Sequence, residues 1–172
     1  MTGPLPGDFG VVKMGGDAAR WIRIGQWLNG DGFADYEHAF VYTGGGGIVE
    51  AEPGGARTTD ASKYGGGVLW STGIIPLTDA QRRAVVKAAR GYIGTPYSAA
   101  DYFALAAKRL RLGPLVPGLR AYVASSGHMI CSQLADQCYA DAGVHLFTDG
   151  RWPGYVTPGA LYQLLLARQV RM

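Results

Sequence analysis

The chain has 172 residues, 48% of them hydrophobic and 17% charged, a length that serves one core and a composition that excludes intrinsic disorder. Its 27 glycines follow no triplet period and come with only nine prolines, which excludes collagen, and no apolar run approaches the ~20 residues of a membrane span. The net charge of +3 is dispersed apart from Lys108-Arg109-Leu110-Arg111, so no phosphate-binding stripe exists and nucleic acid is not an expected partner.

A single domain over 1–172 is expected. The opening MTGPLPGDFG has neither the basic nor the apolar region of a signal peptide, so the expectation is a soluble protein. It could be cytosolic, a phage product or a domain exported by another route. Pro6-Gly7-Asp8 makes a turn into a short apolar run that Gly15-Gly16 ends. A short helix is expected over 18–28, with Trp21, Ile24 and Leu28 at helical spacing before Asn29-Gly30. HAFVYTGGGGIVEAEPGG then reads as two β-rich runs joined by four glycines, and RTTDASKYGGG and VLWSTGIIPL read as further strands of an antiparallel sheet.

The period changes at Thr78-Asp79-Ala80-Gln81, a capping box. Ala84, Val85, Ala88, Ala89, Tyr92 and Ile93 then share one face of a helix that runs to Gly94. Ser98 can cap a second helix through Phe103, Ala107 and Leu110, stopped by Gly113-Pro114. Ser125 or Ser126 can cap a third, with Cys131, Leu134, Ala135, Cys138 and Ala142 in one stripe, and Thr157-Pro158 starts a last helix with Leu161, Leu164 and Leu165 inward. Strands grouped before helices predict an α+β fold.

Cys131 and Cys138 lie about two helical turns, roughly 10 Å, apart, too far for a disulfide, so both are expected as free thiols. There is no CxxC or HExxH pattern and the three histidines are scattered, so neither a metal nor another cofactor is expected. Cys131 falls in the first turns of its helix, where the dipole favours a thiolate, and is placed as a nucleophile, with a small buried hydrophobe as the alternative. Cys138 is two turns further in and reads as core. A cysteine nucleophile needs a base, and the base an orienting group. His38, at the start of a strand, would project from a rigid sheet and leads. His128, three residues before Cys131, is the local alternative, and His145, after Gly143, reads as surface.

The ordered stretches GDFGVV, HAFVYTGGGGIVEAEPGG, YIGTPYSAADYF and ICSQLADQCYADAG resemble the circularly permuted NlpC-type papain-like proteins, the branch that includes YiiX-like and lecithin-retinol-acyltransferase-like enzymes. The resemblance spans most of the chain. It implies a papain-like fold, an antiparallel sheet or partial barrel packed on helices with the cysteine at a helix N-terminus. In the unpermuted peptidases the cysteine helix precedes the histidine strand, whereas here it follows by 93 residues with the cyclic order kept. The resemblance implies Cys131 as nucleophile, His38 as general base and Glu50 as the group that orients the imidazole. It also implies Tyr97, in GTPY, as a substrate contact, with a core aromatic as the alternative. The backbone N–H groups of Cys131 and Ser132 could serve as oxyanion donors, although the Ser132 side chain can equally be a capping or packing hydroxyl.

A regular hairpin with Thr43 opposite Ile48 would put His38 on the face of positions 49, 51 and 53, away from Glu50. A bulge or odd-length loop within Gly44 to Gly47 would instead place Glu52 opposite His38 and Glu50 diagonal to it, so Glu52 stands as the rival of Glu50. The implied activity is a cysteine amidase or endopeptidase forming a thioester acyl-enzyme, with peptidoglycan peptide as substrate. Acyl transfer to lipid or a non-catalytic module of a phage or secretion assembly are the alternatives. Peptidoglycan-cleaving relatives carry Asp before the nucleophile, where this chain has Ile130, which leaves the substrate open.

Overall fold

Alternation along the first strands sets the architecture, because each strand offers one face to the helices and the other to a smaller aromatic layer. The computed structural model describes residues 3–15, 35–52, 54–96, 131–149 and 156–170. Among them, five strands form an open antiparallel sheet: β1 (Phe9–Val12), β2 (His38–Gly44), β3 (Gly47–Glu52), β4 (Gly55–Asp60) and β5 (Val68–Trp70), in the spatial order β4-β3-β2-β1-β5. Three helices follow, α1 (Asp79–Gly91), α2 (Cys131–Asp141) and α3 (Pro158–Gln169), so the chain is α+β. No helix among the described residues is long and apolar enough to cross a membrane.

Phe9, Val11, Ala39, Val41, Val49 and Ala51 point to one side of the sheet and are buried against Leu134, Ala135, Cys138 and Tyr139 of α2, Val85 and Ala89 of α1, and Leu161 and Leu165 of α3. The intervening residues Val12, Phe40 and Ile48 form a second cluster with Tyr64, Val68 and Trp70. Gly10 is required there: a Cβ at this position would lie 2.7 Å from both Phe40 Cε2 and Val68 Cγ1.

The helix signals at Thr78 and Thr157 act as expected, while the caps expected at Ser98 and at Ser125 or Ser126 lie outside the described residues. Thr78 Oγ1 accepts from the Gln81 backbone N–H at 3.2 Å while Gln81 Oε1 accepts from the Thr78 N–H at 2.9 Å. Thr157 Oγ1 caps α3 by accepting from the Ala160 N–H at 3.0 Å, with Pro158 behind it. Three expectations need correction. The strand expected across VLWSTGIIPL is confined to Val68–Trp70, and turns follow it. Helix α1 ends at Gly91, and Ile93 falls in the following turn, where it is exposed rather than on the buried stripe. Within RTTDASKYGGG, strand β4 stops at Asp60, whose carboxylate accepts from the Ser62 N–H at 2.7 Å and opens a 3-10 turn, Ala61–Tyr64. The helices expected over 18–28 and after Ser98, together with His128 and Tyr97, lie outside the described residues.

Buried polar contacts fix α1 and α2 to the start of β1. The Asp8 carboxylate is fully buried and accepts from Arg82 Nη1 at 2.8 Å, Thr72 Oγ1 at 2.7 Å and the Leu5 N–H at 2.8 Å. The Tyr139 hydroxyl donates to the Gly7 carbonyl at 2.8 Å, and its ring meets Phe9 edge-on at 5.5 Å. The helix that carries Cys131 is thereby tied to β1 through its third turn.

Candidate active site

His38 opens β2 and Glu50 lies in the neighbouring strand, so their relation depends on the register of the hairpin. Phe40 pairs with Glu50, Val41 with Val49 and Tyr42 with Ile48, after which the register shifts between Tyr42 and Gly44. The bulge therefore falls at Thr43, just before the expected glycine run. Its effect is the one required, since Glu50 shares a face with Phe40 and lies diagonal to His38. His38 Nε2 is 3.0 Å from Glu50 Oε2 and 3.9 Å from Glu52 Oε1, so the carboxylate hydrogen-bonded to the ring is that of Glu50.

Cys131 opens the described part of α2, and its side chain is hydrogen-bonded to His38. With Nε2 engaged by Glu50, Nδ1 is the ring nitrogen left for the sulfur. All three residues are buried. Burial by itself pulls the His38 pKa down, but the charge of Cys131, its hydrogen bond and the Glu50 carboxylate together outweigh it and raise the pKa from 6.5 to about 9. For Glu50, burial pushes upward and is overcome by hydrogen bonds from His38, Lys63 and Tyr64, leaving the carboxyl at about 2. The imidazole is thus held as a cation and the carboxylate as an anion at neutral pH.

The other sequence candidates separate clearly. Cys138 is buried in the apolar core, where desolvation, reinforced by Asp141, pushes its thiol well above the ordinary range. His145 is exposed, as expected. The Ser132 hydroxyl is buried and donates to the Val156 carbonyl at 2.7 Å, which ties α2 to the approach of α3 and makes it a packing hydroxyl.

Three further residues, not singled out in the sequence, meet the acidic group. Lys63 Nζ donates to Glu50 Oε1 and lies 3.3 Å from Glu52 Oε1. The Tyr64 hydroxyl donates to Glu50 Oε2 at 2.5 Å, while Arg57, directly across from Glu50 on β4, pairs with Glu52 and has its Nε 3.8 Å from Glu50 Oε1. Arg57 was accessible to strand alternation. Lys63 and Tyr64 were not, because the stretch that forms the 3-10 turn and swings them over the second face has the composition of a strand. That turn is pinned to the hairpin tip by a hydrogen bond from the Ala61 N–H to the Gly46 carbonyl at 2.9 Å.

His38, Glu50 and Glu52 bring three donor atoms within 4.8 Å of one another, a spacing that would suit a metal. Lys63 and Arg57 already supply positive charge to both carboxylates, and the donor set is that of an ion-pair network. Compared by sequence with protein-family models and with curated proteins, the chain matches none.

Proposed function

We propose that the protein is a cysteine hydrolase of amide bonds, an amidase or endopeptidase, that uses Cys131, His38 and Glu50. The observation that carries this reading is a single buried imidazole hydrogen-bonded to a thiol and to a carboxylate. A rigid strand supplies the ring and a helix supplies the sulfur, which limits the motion that would misalign them. The Cys131 sulfur attacks the carbonyl carbon, and the backbone N–H groups of Cys131 and Ser132 stabilise the developing oxyanion. Protonated His38 gives its proton to the departing amine as the C–N bond breaks, leaving a thioester. Water then adds to the thioester as His38 takes its proton, and the C–S bond breaks to release the acid and restore the thiolate–imidazolium pair.

The chain order of histidine hairpin before cysteine helix, on an α+β scaffold, supports a circularly permuted NlpC-type papain-like assignment. That assignment in turn points to peptidoglycan peptide as the substrate. Iodoacetamide near neutral pH tests the centre: Cys131 should be alkylated far faster than Cys138, and equally slow labelling of both refutes an activated thiol. Incubation with purified sacculi and with acyl-thioester or acyl-lipid probes, beside Cys131→Ala, tests the reaction. Release of peptide fragments by the wild type alone is expected. Acyl transfer without hydrolysis would move the assignment to the transferase branch, and inertness on every probe would make the chain a binding module.

A further inference from the structure

Glu50 is a fully buried carboxylate, and both its oxygens are engaged. Oε2 accepts from His38 Nε2 at 3.0 Å and from the Tyr64 hydroxyl at 2.5 Å, while Oε1 accepts from Lys63. A buried carboxyl with the histidine as its sole partner would protonate readily in acid, because desolvation opposes its charge. A neutral carboxyl is a poor anchor for an imidazolium. We propose that Lys63 and Tyr64, carried by the 3-10 turn after β4, are positioning residues that hold Glu50 ionised, so that it keeps the His38 ring aimed at Cys131 in acid solution. The inference rests on the hydrolase reading and extends it to the pH range over which the site stays assembled.

The groups that face Glu50 come from every neighbouring element: His38 from β2, Glu52 from β3, Arg57 from β4, and Lys63 and Tyr64 from the turn. Among the described residues, only those of the turn donate to Glu50 without themselves taking part in the chemistry, since Arg57 lies 3.8 Å away and is engaged with Glu52. Tyr64 is fixed for the task. Its ring stacks on Phe40 at 4.9 Å with 9° between the planes. Burial and the two carboxylates push its pKa well upward, so the hydroxyl keeps the proton it donates. The Lys63 ammonium also lies 4.8 Å from the Tyr64 ring centre, which joins the two donors into one unit.

The test is an NMR titration of the full chain, with glutamate carboxyl carbons and histidine ring nitrogens labelled, for wild type, Lys63→Met, Tyr64→Phe and the double variant. In wild type, the Glu50 carboxyl should stay ionised to about pH 3 and the His38 Nε2–H resonance should persist to the same acidity. Each single variant should raise the Glu50 midpoint, and the double variant should raise it by at least about one pH unit, a tenfold change in its acid constant. The Nε2–H resonance of the double variant should then vanish below about pH 5 while remaining at pH 7. A Glu50 midpoint that does not move in folded variants, or a resonance that survives to the same acidity, overturns the inference. Should the variants not fold, the wild type decides, since a Glu50 that titrates at the ordinary value of about 4.5 overturns it too. Failure of the hydrolase reading has a separate signature, a Cys131 no more reactive than Cys138.

Discussion

Removing the sulfur should lower the proton affinity of His38, and the structure gives the size of the effect. The ring lies in the protein interior, and the largest influences raising its pKa to about 9 are the charge and hydrogen bond of Cys131, ahead of Glu50. The interval from 6.5 to about 9, at ~1.4 kcal/mol per pH unit, corresponds to about 3 kcal/mol of preference for the protonated ring in the folded state. Because the folded value is the higher one, this stabilisation is fully present below about pH 6.5 and is lost as pH rises through about 9. In Cys131→Ala the burial penalty remains and only Glu50 opposes it, so the His38 midpoint should fall by more than ~1 pH unit, and by more than in Glu50→Gln. The decline in urea-derived stability above neutral pH should shrink with it. Histidine-labelled NMR reads the midpoint directly. A wild-type His38 that titrates near 6.5, or one whose midpoint ignores the loss of Cys131, would refute the thiol–imidazole contact.

Gly10→Ala should lower stability by about 1–3 kcal/mol in chemical unfolding, because the new Cβ would lie 2.7 Å from Phe40 Cε2 and Val68 Cγ1 inside a packed layer; an unchanged midpoint would mean that the layer is loose. Asp8→Asn should cost about 3–5 kcal/mol, since an amide cannot accept from Arg82 on one side and from Thr72 and Leu5 on the other without leaving a buried donor unmet. A loss below about 1 kcal/mol would show that the pair is dispensable. Tyr139→Phe should cost about 1–2 kcal/mol by orphaning the Gly7 carbonyl, and hydrogen exchange in α2 should accelerate; exchange at the wild-type rate would show that this bond does not hold the helix.

Much of the scaffold was legible because its signals are local. The capping box at Thr78 and Gln81, the Thr157-Pro158 start of α3 and the inward Leu161 and Leu165 follow from residues within two turns of one another. The two strands around the glycine run follow from β-branched and aromatic residues on either side of a turn. The hairpin was legible up to its register, which needed one unpaired residue somewhere near the turn for His38 and Glu50 to share a face. That residue is Thr43, whereas propensity favours a regular strand at a β-branched residue and a bulge at one of the glycines beside it.

The sequence by itself determined which residue types could do chemistry and which local element each belongs to: a cysteine in a helical stripe, a histidine at a strand start and two acids in the partner strand. The tertiary structure decided which of them meet. Cys131 reaches His38 across 93 residues, Glu50 rather than Glu52 takes the ring, and Lys63 and Tyr64 close over that carboxylate because one 3-10 turn follows β4. The physical reason is that secondary structure is fixed by short-range sterics and hydrogen bonding, whereas a site is fixed by how finished elements pack. One inserted residue in a hairpin, or one turn in place of a strand, moves a side chain to another face while leaving the periodic pattern nearly unchanged.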